Sequence, residues 1–154
     1  MHKFNYDFLT PGIVAGIIGA MISGVYEIII KGLRIASNLF LEFSQVIILF
    51  HTKNSIPHSI IGWGIHLIIG SICGVIISYI IKFTSNKYYL FKGTWIGLCA
   101  WGFLLSVGTL YKMPNFTKIQ PIPALAMVIG SAFWGLSTAY ALKIITKNFK
   151  YYFD

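Results

Sequence analysis

Residues 11–30, PGIVAGIIGAMISGVYEIII, hold one charged side chain, Glu27, in 20 positions. At 1.5 Å per residue a helix of that length reaches about 30 Å, the depth of a bilayer's hydrocarbon core. Comparable apolar runs follow at 60–81, 93–111 and 123–142. Lysines flank them: Lys82 after the second, Lys92 and Lys112 around the third, Lys143 after the fourth. The first run exceeds the 7–15 apolar residues of a secretory signal and no A-x-A-like site follows, so it reads as a retained span. Only 10% of the 154 residues are charged, against about 25% in soluble domains. That composition argues against a soluble enzyme, a disordered tail or a nucleic-acid-binding domain. The sequence predicts an all-α integral membrane protein, one membrane domain over 1–154, with four transmembrane helices and a cytoplasmic tail at 143–154.

The stretch 31–50 is harder to place. Arg34, Asn38, Glu42 and Gln45 recur at spacings of four, four and three, which aligns them on one helical face, and Lys31 and Glu27 extend the stripe backwards. A narrow polar stripe on an apolar cylinder predicts an amphipathic helix, lying at the interface or packed against the other spans. The alternative is a fifth span, which would bury Asn38, Glu42 and Gln45, at ~2.5 kcal/mol or more for the charge alone. Four spans divide the 12 Lys/Arg seven to five and five spans divide them eight to four. The cost of the stripe outweighs so small a bias and favours four spans with both termini cytoplasmic.

The net charge of +8 sits scattered at the ends of the apolar runs. There it meets anionic headgroups, so the expected partner is the lipid bilayer, anionic lipids included, and not nucleic acid. Tyr88, Tyr89, Phe91 and Trp95, and in the tail Phe149, Tyr151 and Tyr152, suit an aromatic belt. Thr10 and Pro11 read as the cap and first position of the first helix. Pro114, Pro121 and Pro123 stiffen the connection 112–122.

Small residues supply the clearest pattern. Gly12, Gly16, Ala20 and Gly24 recur every four residues in the first run, with Ala15, Gly19 and Ser23 in the adjacent row. Gly62, His66, Gly70, Gly74 and Ser78 do so in the second, and Ser131, Gly135 and Ala139 form a shorter row in the last. Small residues at this spacing let helix backbones approach closely in lipid. They serve packing inside one bundle, or assembly with a second copy or another membrane protein.

Chemistry has few carriers. Glu27 and His66 are the ionisable residues placed within spans. In a four-span topology their depths from one membrane face are similar, about 5 and 9 Å at 1.5 Å per residue. They could form a proton-responsive or ion-binding pair, the basis of a small channel or proton-coupled transporter. The structural alternative pairs Glu27 with Lys31 and lets His66 bond a neighbouring backbone. His2, His51, His58 and His66 lack metal-ligand spacing, no HExxH, Walker A or GxSxG occurs, and Cys73 and Cys99 read as small buried hydrophobes. No cofactor, metal or catalytic residue is expected. The leading expectation is a non-catalytic component that packs through its glycine-rich faces. Asn115-Phe116-Thr117 satisfies N-x-[ST], a triplet frequent by chance.

The segment AGIIGAMISGVYE around Glu27, the span opening near His66, the KGTWIGLCAW third span, the proline-bearing loop and the Trp-containing last span together resemble small bacterial inner-membrane proteins of the YagU and YqhR type. The resemblance covers roughly residues 12–142 and implies the topology and a place in the bacterial cytoplasmic membrane; that group has no assigned reaction. Glu27, His66 and the loop prolines carry over. The further Glu and His of YagU-type last spans do not, since Gly130, Ser131 and Ala132 stand there.

Overall fold

A computed structural model describes residues 7–85 and 87–146. They form five helices: α1 Leu9–Gly32, α2 Phe40–Leu49, α3 Ile56–Thr84, α4 Tyr89–Leu110 and α5 Pro121–Thr146. Four of them, α1, α3, α4 and α5, are long and apolar enough to cross a membrane. The aromatic tail residues Phe149, Tyr151 and Tyr152 lie outside the described residues.

The helices outrun the apolar runs at nearly every end. α1 begins before Thr10, and Asp7 caps it: its Oδ1 accepts from the amides of Leu9 at 2.9 Å and Thr10 at 3.0 Å. Pro11 falls within the first turn, where a missing amide still costs no helical bond. α3 starts at Ile56, with Pro57 in its first turn.

The helix expected over 31–50 is confined to Phe40–Leu49, ten residues or about 15 Å, which is too short for a fifth span. α1 stops because the chain turns left-handed at Arg34, φ 57°. Ile35 donates to the Ile30 carbonyl at 3.1 Å and Arg34 to that of Lys31 at 3.0 Å, the paired bonds of a Schellman ending. Asn38 is also left-handed, φ 59°. Arg34 and Asn38 are therefore not helical, and the stripe is broken. α4 ends by the same device, with Lys112 at φ 49° and Met113 donating to Gly108 at 2.8 Å.

In space the long helices lie in the order α3–α1–α5–α4, each neighbour antiparallel to the next. Where α1 meets α3, a Cβ on Gly12 would lie 2.7 Å from Val75 Cα, and one on Gly16 would lie 2.9 Å from Ser71 Cα. A Cβ on Gly70 would come within 2.6 Å of Ala20, and one on Gly74 within 2.5 Å of Gly16. No side chain fits at these points. α4 meets α5 in the same manner, Gly93 and Gly97 against Ser131, Gly135 and Ala139. α5 reaches α1 through Tyr26, whose hydroxyl donates to the Ala126 carbonyl at 3.2 Å. α3 and α4 touch little.

α2 sits across one end of this row, packed on α3. Gly62 admits it, since a Cβ there would meet the Leu41 carbonyl at 2.9 Å. The loop after α4 closes the same end: Phe116 is fully buried and meets Phe43 edge-on at 4.9 Å. Large apolar side chains such as Met21, Ile28, Ile72, Phe103 and Leu125 face outward, the surface that a lipid environment covers.

Candidate functional site

Two groups of polar side chains lie between the helices. The first surrounds the start of α2. Glu27, 3% exposed, sits on the last turns of α1, and its Oε2 accepts from the Leu41 amide at 2.9 Å. Glu42, buried on α2, folds back to accept from the Leu39 amide at 3.1 Å and is also ion-paired with Lys31. Two carboxylates thus satisfy free amides at the positive end of one helix, where negative charge is favoured. Gln45 Oε1 lies 3.4 Å from the Lys53 amide, and Asn54 Oδ1 is 3.5 Å from Lys31 Nζ. Glu27, Lys31, Glu42, Gln45 and Asn54 share an open pocket beneath Trp63. Within it, Glu27 Oε1 is buried without a partner.

Glu42 and Gln45 therefore face the protein, which fits a helix packed against the other spans and not one lying at the interface with its polar face outward. Lys31 bonds Glu42 and not Glu27. The physical reason is the left-handed turn at Arg34, which folds α2 back on α1 and brings residue 42 to residue 31.

The second group lies deeper. His66 Nε2 is 3.1 Å from the Ala20 carbonyl and 3.3 Å from Ser23 Oγ. The carbonyl can only accept, so this nitrogen is assigned the hydrogen. Trp63 stands edge-on to the imidazole at 6.1 Å. The possible Glu27–His66 pair is not hydrogen-bonded: Glu27 bonds the α2 backbone, and His66 bonds a neighbouring backbone, that of α1, as the structural alternative had it. Gly24, at the end of its row, receives the Trp63 ring.

Below His66, the gap between α3 and α4 holds a narrow cleft, roofed by Phe40, Phe43 and Ser44 of α2. Its walls are apolar and small, including Gly70, Cys73, Gly97 and Ala100, with Trp101 and Trp134 reaching in. Both indole N–H groups are buried without an acceptor. Sequence reasoning passed over these two tryptophans. Their signal was position: tryptophan favours span ends, and both fall mid-helix.

The polar side chains of both groups brace backbone segments of neighbouring helices. No group of three or more His, Cys, Asp or Glu gathers among the described residues, and the two carboxylates are tied to amides and a lysine. These features define an all-helical bundle with four helices long and apolar enough to cross a membrane. The chain matches no family model, no curated protein and no solved structure.

Proposed function

We propose that this chain is a non-catalytic, multi-pass component of the bacterial cytoplasmic membrane, with both termini cytoplasmic, that works by association with a second copy or another membrane protein. A kinship with the YagU and YqhR type belongs to the same proposal. The observation that carries it is the use to which the polar residues are put: Glu27 holds the first turn of α2 and His66 holds a carbonyl of α1. The glycine rows meet one another within the chain, so association falls to other surfaces. α4 has the least covered span window of the four and carries Cys99 on its exposed side, which makes its outer face the leading candidate. Anionic headgroups match the lysines at the helix ends.

Thiol cross-linking through Cys99, in native membranes and with Cys73→Ala to silence the other thiol, tests this. The expected result is a discrete product of defined mass. Absence of any product, together with pH-dependent flux in liposomes that Glu27→Gln abolishes, would replace association with transport. The unpartnered Glu27 Oε1 beside an open pocket is the observation favouring that second reading.

A further inference from the structure

The connection between α2 and α3 folds two histidines together that the sequence holds seven residues apart. Phe50 ends α2 in a left-handed conformation, φ 56°, and turns the chain back toward α3. His51 follows, and His58 lies in the first turn of α3. Their Nε2 atoms are 3.0 Å apart, with the rings inclined at 63°. His51 is exposed and His58 half-buried, so the site opens to solvent.

The other ring nitrogens are occupied. His51 Nδ1 lies 2.7 Å from the Leu49 carbonyl, and His58 Nδ1 lies 2.7 Å from Ser55 Oγ. A carbonyl only accepts, so His51 Nδ1 carries the hydrogen and, in the neutral ring, its Nε2 presents a lone pair. Ser55 can donate or accept. With His58 Nε2 protonated, the two rings share one hydrogen bond and Ser55 donates. In the other neutral tautomer the hydrogen sits on His58 Nδ1 in place of Nε2: Ser55 accepts from Nδ1–H, both Nε2 lone pairs face each other across 3.0 Å, and a small turn of the rings brings them to one ion. Imidazole ligands bind metal at about 2.0–2.1 Å, which separates two of them by ~2.9–3.4 Å for angles between square and tetrahedral. The observed separation falls in that interval. Hydrogen bonds from the far ring nitrogens to a carbonyl and a hydroxyl are the outer contacts that orient metal-binding histidines.

We propose that His51 and His58 form a surface site for a divalent first-row transition-metal ion, bound through both Nε2 atoms. Among the described residues no third His, Cys, Asp or Glu completes a larger set, so water fills the remaining positions. Imidazole pairs favour Cu²⁺ over Ni²⁺ and Zn²⁺, and discriminate against Mg²⁺ and Ca²⁺, which prefer oxygen. Lys53, in the same connection, works against the ion electrostatically, which places the site among the weaker ones. Once bound, the ion clips the connection to the first turn of α3.

The test uses the full chain in nanodiscs, without a polyhistidine tag and with His2→Ala to remove the imidazole beside the N-terminus. Titration with Cu²⁺, followed by electron paramagnetic resonance, is expected to give one ion per chain with two coupled imidazole nitrogens. His51→Gln and His58→Gln should each weaken binding about tenfold or more, and the double variant should abolish it; Zn²⁺ should bind more weakly at the same residues. Because substitution at a helix start can disturb α3, a second measurement uses the unsubstituted histidines: Cu²⁺ should protect both from diethyl pyrocarbonate, read by mass spectrometry. Binding unchanged in the double variant, a single-nitrogen signal, or protection of neither histidine would overturn the assignment.

Discussion

The seam between α1 and α3 and the gap between α3 and α4 share one helix yet follow opposite rules. At the seam, glycine meets glycine and backbone lies on backbone. At the gap, Trp101 of α4 and Trp134 of α5 line a cleft and leave two unsatisfied N–H groups. Lipid tails give apolar side chains no reason to hide, so helices hold together where atoms come closest. The contrast teaches that small residues mark where helix backbones touch, and large mid-span aromatics where they do not.

Breaking the seam should have the largest effect. Gly16→Leu or Gly74→Leu would force backbone apart, at about 1–3 kcal/mol for overpacking, or more. Either variant should lose thermal stability or fail to accumulate. Gly64→Leu, on the same α3 helix but with nothing within 4 Å of its Cβ, should behave as the unsubstituted protein. Equal losses at Gly16 and Gly64 would show that close approach is not what stabilises the seam.

Next in size is Glu27→Leu, which strips the Leu41 amide of its acceptor at a cost of about 1–3 kcal/mol. Faster hydrogen exchange over residues 40–49 is the expected sign. Glu27→Gln, keeping an acceptor oxygen, should lose less. Uniform exchange in both variants would mean that α2 is held by its apolar contacts alone.

The gap should tolerate change. Trp134→Phe removes an unpaired N–H from the cleft and should shift stability by less than about 1 kcal/mol in either direction. A loss comparable to Gly16→Leu would mean that the bulk of the Trp134 indole is a fixed part of the packing.

Smallest is the effect at Asp7, outside both regions. The Thr10 side chain, then its amide, holds the Asp7 carboxyl below its usual 3.8. A carboxyl with a depressed folded pKa stabilises above its unfolded value, and the contribution disappears as pH falls through the folded one. The unsubstituted protein should therefore melt slightly above Asp7→Asn at neutral pH, with the difference vanishing only in acid below the usual carboxyl range. A difference that persists in acid would show that Asp7 acts through something other than its charge.

The four long helices were legible because 20 apolar residues in sequence leave few alternatives. Their exact ends were not, since Asp7 and Thr146 lie beyond the apolar runs. The stretch 31–50 misled for a definite reason: four polar residues kept helical spacing across a turn, and the turn uses Arg34 where glycine is the usual sign. Glu27 was recognisable as unusual, but its partner is a backbone amide, which has no letter in the sequence. The rows of Gly12 to Gly24 and Gly62 to Gly74 stood out, whereas Gly93 and Gly97, the counterpart of Ser131 and Gly135, did not. His51 and His58 lack a metal-ligand spacing in the sequence, and the left-handed turn at Phe50 that joins them has no signature residue.

The order of the helices in space, α3–α1–α5–α4, departs from their order of synthesis, and this imposes a schedule. Once α3 has emerged it can zip onto α1. α4 then arrives without a broad partner, because the face carrying Gly93 and Gly97 fits α5. α5 therefore closes the molecule, seating α4 on one face and joining α1 through Tyr26 and Gly19 on the other. A chain stopped after residue 120 would present quality-control proteases with a sheltered α1–α3 hairpin and an orphaned α4. Cleavage confined to that fourth helix would be the mark of assembly halted one step from completion.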